Sequence, residues 1–138
     1  MHYLDFLKES LVESSDIANQ FFGKVSTIST KEGDNNQVLT EADIAIGELL
    51  VNKVKTEFPD YNIIDEEAGV IDNGSEFTWV IDPVDGTSNF AAGVIHYGIY
   101  LGLLEGDKPI AGGMAIPGEN DIYIAQEGIG CFLNDQKI

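Results

Sequence analysis

Two aspartates near the middle of the chain have the types and spacing of ligands for a hard divalent cation. Asp82 and Asp85 bracket Pro83-Val84, directly after a predicted strand over residues 77–81. Mg²⁺ in proteins accepts carboxylate, backbone carbonyl and water oxygens. Because sites are commonly built where rigid strands meet turns, we expect this junction to hold such a cation.

Other chemically useful residues also lie at the ends of predicted elements. Glu66 follows a short predicted strand over residues 61–64, and Asp43 lies in the first turn of a predicted helix. Gly86-Thr87 is expected to open a short helix. Since N–H groups at a helix start bind phosphate oxygens, the chain has the parts of a phosphate site beside a metal site.

Two better-known aspartate motifs do not fit this segment. An EF-hand calcium loop has acids or amides at positions 1, 3 and 5 and glycine at position 6, whereas Gly86 would be fifth here. Phosphatases of the haloacid-dehalogenase type use Asp-x-Asp-Gly-Thr, and here one residue too many separates Asp82 from Asp85. We therefore reject both motifs.

Each acid also has an ordinary structural explanation when it is taken alone. Asp43 suits a helix cap, and Glu66 and Glu67 are of a type common on surfaces. Asp82 and Asp85 suit a proline turn. Their occurrence together in this order favours a site. Four other residues are interpreted as terminal, packing or surface residues, without zinc-like spacing: His2, Trp79, His96 and Cys131.

Two helices must position part of this site. Apolar residues at helical spacing predict a helix over residues 3–22, which Gly23 would end. A second helix is predicted over residues 41–58, beginning after Thr40, whose spacing to Asp43 is that of a capping box. The polar segment between the helices is predicted to be a loop or a loose hairpin.

Short strands dominate the chain from residue 61 onward. They are predicted at residues 61–64, 77–81, 97–104, 109–116, 121–126 and 131–133. Their short connections favour antiparallel meanders. The predicted fold class is α+β, with two N-terminal helices packed on a largely antiparallel sheet. Only three residues follow an Asn134-Asp135 turn at the end of the chain, so we expect it to be cut from a longer domain.

Composition argues against several functions. The formal net charge is −17, from 24 acids and 7 scattered bases, whereas binders of nucleic acid or anionic membranes need clustered Lys and Arg. There is no apolar run of spanning length and no recognisable secretory signal. A single cysteine suits a reducing compartment. We therefore expect a cytoplasmic protein with no nucleic-acid or membrane partner.

The sequence resembles the inositol monophosphatase family, within the Mg²⁺-dependent, Li⁺-sensitive sugar phosphatases. The most specific match is the segment Asp82-Pro83-Val84-Asp85-Gly86-Thr87-Ser88-Asn89-Phe90. Further matches follow the family order and spacing: Lys31, Leu39-Thr40-Glu41-Ala42-Asp43, Ile64-Asp65-Glu66-Glu67 and the segment from Gly128 to Asn134. The resemblance implies that residues 1–138 are the N-terminal metal-binding portion of the family's layered α/β sandwich, with the C-terminal half absent.

The resemblance also implies a set of metal ligands, for two or three Mg²⁺ ions. Glu66, Asp82 and the main-chain carbonyl of Val84 would hold the first ion. Asp82 and Asp85 would contribute to the second, and Glu66 with water to a weaker third. The remaining aspartate of the second ion would come from a tryptophan-aspartate motif in the C-terminal half, which this sequence lacks.

Catalytic and phosphate-binding residues are implied in the same way. Thr87, paired with Asp43, would orient and help deprotonate the attacking water. The N–H groups of Gly86 and Thr87 would bind phosphate oxygens, and Lys31 would lie near the site in a mobile loop. One departure is Asp65, where the family usually has a small residue; strand alternation predicts that it points away from Glu66.

The implied function is hydrolysis of a small phosphate ester, inositol monophosphate or a related sugar phosphate, by direct water attack without a phosphoenzyme. The full-length protein would be a homodimer. One alternative is the same chemistry on fructose-1,6-bisphosphate, histidinol phosphate or a nucleotide phosphate. The other is an inactive metal-binding half that serves as a structural or interaction module.

Overall fold

The computed structural model describes residues 2–24, 27–30 and 38–138. Two long helices and a mostly antiparallel sheet confirm the predicted α+β class. The described elements in chain order are α1 (Tyr3–Phe21), β1 (Thr27–Thr30), β2 (Val38–Thr40), α2 (Glu41–Glu57), β3 (Asn62–Asp65), β4 (Gly69–Ile71), β5 (Phe77–Asp85), α3 (Thr87–Ala91), β6 (Gly98–Glu105), β7 (Lys108–Ile116), β8 (Asp121–Gln126), β9 (Gly130–Leu133) and β10 (Gln136–Lys137).

Eight strands form one sheet in the order β10-β9-β8-β7-β6-β5-β3-β4. Neighbouring strands in it pair antiparallel, except β3 and β5, which run parallel. Strands β1 and β2 pair separately as an antiparallel hairpin. The predicted loose hairpin between the helices is therefore confirmed over the residues that the structure describes there.

Helices α1 and α2 pack on one face of the large sheet and enclose the core. Leu7 and Leu11, from the predicted apolar stripe of α1, are fully buried. The helix ends as predicted, since Gly23 follows its cap with φ +73°. Within the described residues no helix is long and apolar enough to cross a membrane. The largest fully buried side chains include Trp79, Phe6, Phe90, Ile46, Leu50, Ile81, Leu101 and Leu103.

The predicted end of the strand before the aspartates is wrong. Strand β5 does not stop at Ile81 but continues to Asp85, and its pairing with β6 is irregular between Asp82 and Asp85. A bulge of this kind tolerates Pro83 inside a strand, because the ladder is already interrupted there. Both aspartates are therefore held by sheet pairing rather than by a free turn.

Gly113 allows α1 to approach the sheet closely. A Cβ at this position would lie 2.7 Å from Leu11 Cδ1 and 2.7 Å from the carbonyl oxygen of Tyr123. Because the second atom is backbone, the neighbouring strand would have to shift. We expect Gly113→Ala to lower the free energy of unfolding by about 1–3 kcal/mol, as overpacking does.

A matched control for Gly113 is Gly102, on the neighbouring strand β6. A Cβ at Gly102 meets no atom within 4 Å, so Gly102→Ala should leave the free energy of unfolding nearly unchanged or slightly raised. Urea unfolding of both variants checks the pair. Equal effects of the two substitutions would contradict the close packing inferred at Gly113.

Candidate functional site

A cavity of about 150 Å³ at the end of β5 brings together most of the predicted site residues. Its lining consists of Glu66, Val84, Asp85, Gly86, Thr87, Ser88 and Asn89. The parallel pairing of β3 with β5 brings the turn that carries Glu66 beside β5, and the Glu66 N–H donates to the Ile81 carbonyl at 3.2 Å. The site is thus built from the carboxyl ends of two neighbouring strands and from α3.

The Thr87 hydroxyl connects this cavity to a buried carboxylate. Thr87 Oγ1 lies 3.0 Å from Asp43 Oδ1 and 2.9 Å from the Val84 carbonyl oxygen. A hydroxyl has one proton to donate and lone pairs that accept. A hydroxyl that donates to a carboxylate can at the same time accept a hydrogen bond from water. The geometry therefore suits passage of a proton from water toward Asp43.

Asp43 is held rigidly at the start of α2. Its Oδ2 accepts hydrogen bonds from the Thr40 hydroxyl at 2.6 Å and from the Thr40 N–H at 3.1 Å. The Asp43 N–H donates to Thr40 Oγ1 at 3.4 Å. The predicted capping box is confirmed. Capping occupies one carboxylate oxygen and leaves the other directed at Thr87, so the structural and functional roles of Asp43 are compatible.

A glycine is required at position 86 for two reasons. Its φ of +83° lies in the left-handed region that side chains disfavour. A Cβ there would also lie 3.0 Å from the His96 carbonyl oxygen. The turn at Gly86 leads directly into the short helix α3, as predicted, and the Phe90 N–H donates to the Gly86 carbonyl at 3.0 Å. The phosphate-binding role of Gly86 and Thr87 stays a prediction.

The structure does not bring every predicted site residue to the cavity. Asp82 is not among the residues that line it, and lies opposite Tyr100 in the pairing of β5 with β6. Asp43 reaches it only through Thr87. Lys31 lies outside the described residues. Of the acids singled out in the sequence, Glu66 and Asp85 line this cavity directly, and the ligand roles of Asp82 and Asp85 stay predictions.

Asp65 faces away from the cavity, as strand alternation predicts. It is 4% exposed and lines a different cavity, beside Gly47 of α2. Its Oδ1 accepts a hydrogen bond from the Glu67 N–H at 2.9 Å, which fixes the turn that carries Glu66. The unusual acid at this position is therefore compatible with the proposed ligand role of Glu66.

The donor set of the cavity fits a hard divalent cation. Within the described residues, no group of three or more His, Cys, Asp or Glu side chains is arranged to hold a metal. Mg²⁺, however, is commonly bound by only one or two carboxylates and fills its other positions with water. Glu66 and Asp85 supply two carboxylates and Val84 a carbonyl, and no lysine is among the described residues that line the cavity.

Two other residues of the lining, Ser88 and Asn89, had no predicted catalytic or ligand role. The Asn89 amide donates to the His96 carbonyl at 2.9 Å, which ties α3 to the segment before β6. The same carbonyl oxygen lies against Gly86, 3.0 Å from the place that a Cβ would occupy. This contact joins residues seven positions apart through a loop, so no local spacing rule would have found it.

The chain is similar in sequence and fold to proteins of the inositol monophosphatase family. The profile of the inositol monophosphatase family matches residues 2–138. The fructose-1,6-bisphosphatase/inositol-1-monophosphatase of Thermotoga maritima is 33% identical over 138 residues, which are 100% of this chain and 53% of that protein. The solved structure of a Thermotoga maritima IMPase has a TM-score of 0.90 at 31% identity, over 100% of this chain and 53% of that one.

A further relative has a different kind of name. The Nus factor SuhB of Xylella fastidiosa is 30% identical over 125 residues, which are 91% of this chain and 45% of that protein. The chain spans about half the length of the curated relatives it matches. With a family profile that covers residues 2–138 and relatives aligned along the whole chain, the chain belongs to the inositol monophosphatase family.

Proposed function

We propose that residues 1–138 form the N-terminal metal-binding portion of a Mg²⁺-dependent phosphomonoesterase. The observation that carries this proposal is one cavity lined by Glu66, Asp85 and Val84, in which Thr87 is hydrogen-bonded to buried Asp43. This cavity places oxygen ligands for a cation next to a group, Asp43, that can accept a proton from water through Thr87. Membership of a family whose relatives are named as phosphatases supports the same reaction class.

Glu66, Asp85 and the Val84 carbonyl would hold the cation in this cavity, and Asp82 would contribute from the adjoining part of β5. When bound there, Mg²⁺ would lower the pKa of the water that it coordinates and would stabilise negative charge on the attacking and leaving oxygens. Because the chain has 24 acids and only 7 bases, the electrostatic potential of the metal-free protein is negative and attracts cations rather than anions.

Thr87 and Asp43 would guide the proton of the attacking water. The Thr87 oxygen accepts a hydrogen bond from water while its own proton is donated to Asp43 Oδ1, 3.0 Å away. As the water oxygen bonds to phosphorus, the bond from phosphorus to the ester oxygen breaks. The proton passes through Thr87 to Asp43, and the leaving alcohol takes a proton from solvent water. Asp43 then gives its proton to the hydroxide that remains, which restores the carboxylate.

The substrate would be a small phosphorylated compound. The N–H groups of Gly86 and Thr87 would bind phosphate oxygens, and Lys31 would lie near them. Inositol monophosphate and fructose-1,6-bisphosphate are the first candidates, because relatives are named for both. Li⁺ sensitivity and a homodimer of the full-length protein are parts of the same proposal.

A second candidate is an inactive metal-binding half that acts as an interaction module. One observation favours it: several relatives are named as a Nus factor rather than as a phosphatase. On this alternative the cavity would bind a cation without supporting turnover.

Phosphate release separates the two candidates. We expect a full-length version, with the C-terminal half that the relatives have, to release phosphate from inositol-1-phosphate or fructose-1,6-bisphosphate only with Mg²⁺, and the 138-residue chain to release none. Asp85→Asn should abolish the reaction, whereas Asp107→Asn, an exposed acid in the β6–β7 turn, should not. Turnover by the 138-residue chain would overturn the second candidate, the inactive half, and an unchanged rate in Asp85→Asn would overturn the proposed site.

A further inference from the structure

Tyr100 lies beside the candidate metal ligands on the neighbouring strand. In the antiparallel pairing of β5 with β6, Asp82 is opposite Tyr100 and Asp85 is opposite Gly98. Directly paired residues share a face of the sheet, and Tyr100 is 38% exposed there. The Tyr100 side chain has no part in the proton path described above.

The Tyr100 ring lies over Gly98, two residues back along its own strand. A Cβ at Gly98 would be 3.2 Å from the Tyr100 hydroxyl oxygen and 3.3 Å from its Cε2 atom. Because these contacts involve the tip of the ring, the hydroxyl ends above Gly98. Since Gly98 is the cross-strand partner of Asp85, the ring carries the hydroxyl toward that carboxylate.

The electrostatics of Tyr100 agree with this placement. Burial, then the charge of Asp85 and a hydrogen bond to it, and then the charge of Asp82, raise the pKa of Tyr100. A protonated phenol is a donor to carboxylates. The hydroxyl is therefore directed at an acceptor that is itself a candidate metal ligand.

We propose that Tyr100 is a positioning residue, whose hydroxyl donates a hydrogen bond to Asp85 and holds that carboxylate in the orientation that binds the cation. The proposal rests on the proposed function, because it concerns a ligand of the same site. Hydrogen bonds of this kind orient ligating carboxylates, and their removal typically weakens metal binding about 10–100-fold. Gly98 is part of the arrangement, since a Cβ at this position would press against the tip of the ring and displace it by a few tenths of an ångström.

The test is calorimetric titration of the 138-residue chain with MgCl₂ alone, for the wild type, Tyr100→Phe and Tyr123→Phe. Tyr123 is the matched control, because Met114 pairs with both tyrosines and so places them on the same sheet face, two strands apart. We expect Tyr100→Phe to weaken Mg²⁺ binding about 10-fold or more and Tyr123→Phe to leave it unchanged. The midpoint of urea unfolding without metal should be the same for all three proteins.

The outcomes distinguish a failure of the role proposed for Tyr100 from a failure of the proposed function. Wild-type binding that Tyr100→Phe leaves unchanged would overturn the role of Tyr100 alone. An equal loss in both variants, or a lowered metal-free urea midpoint in Tyr100→Phe that accounts for the loss, would also overturn it in favour of a packing role. A wild-type chain that binds no Mg²⁺ would overturn the proposed function itself and with it the role of Tyr100.

Discussion

Replacing Asp85 by Asn or Glu66 by Gln will weaken Mg²⁺ binding to the 138-residue chain by roughly 100-fold, and the double variant will show no measurable binding. A unit charge pair 4 Å apart contributes about 4 kcal/mol near a protein surface, and about 2.8 kcal/mol corresponds to a factor of 100 in affinity. Both carboxylates are exposed to solvent, so the smaller figure is the appropriate one.

The same substitutions should not destabilise the metal-free protein. Glu66 and Asp85 line one cavity and repel each other when no cation neutralises them, so neutralising either should leave the metal-free chain equally stable or slightly more stable. Mg²⁺ should raise the melting temperature of the wild type through linkage and should not raise that of the double variant. Asp107→Asn should behave as the wild type. A wild-type melting temperature indifferent to saturating Mg²⁺ would contradict the site.

Replacing Thr87 by Val will lower kcat for phosphate release by a full-length version of the chain by about 10²–10⁴, the usual contribution of positioned proton transfer. Valine keeps the volume but removes the hydroxyl that lies 3.0 Å from Asp43 and 2.9 Å from the Val84 carbonyl. Thr87→Ser retains that hydroxyl and should recover most of the rate. The Mg²⁺ affinity should change only a few-fold, because Thr87 supplies no charge.

The Thr87→Val variant also needs a stability control. It removes one hydrogen bond from buried Asp43, which should cost about 1–3 kcal/mol of unfolding free energy. Circular dichroism and urea unfolding must therefore show that the variant is folded under assay conditions. A folded Thr87→Val protein with an unchanged kcat would remove Thr87 and Asp43 from the proton path.

Features that depend on local sequence were predictable. The capping box between Thr40 and Asp43 and the end of α1 at Gly23 follow from side chains within a few residues of each other. The two helices and most strands follow from apolar periodicity. Strand β4, by contrast, has only three residues, Gly69–Ile71, which is too short for any period to be detected.

Features that depend on strand register were not predictable. The extension of β5 to Asp85 depends on its pairing with β6, which is distant in sequence. Tyr100 reaches Asp85 only because Gly98 is the cross-strand partner of that residue. Likewise, the Thr87–Asp43 contact spans 44 positions. The family resemblance implies that pair, but the spacing of the two residues in the sequence does not specify the geometry of their contact.

The most direct test of the metal-binding claim is a crystal structure of the 138-residue chain with Mn²⁺, which accepts the same carboxylate, carbonyl and water ligands as Mg²⁺. We expect an anomalous peak in the cavity at the end of β5, in contact with the carboxylates of Glu66 and Asp85 and the carbonyl of Val84. An anomalous peak found only elsewhere in the molecule, or no peak in this cavity at saturating Mn²⁺, would contradict the metal-binding claim.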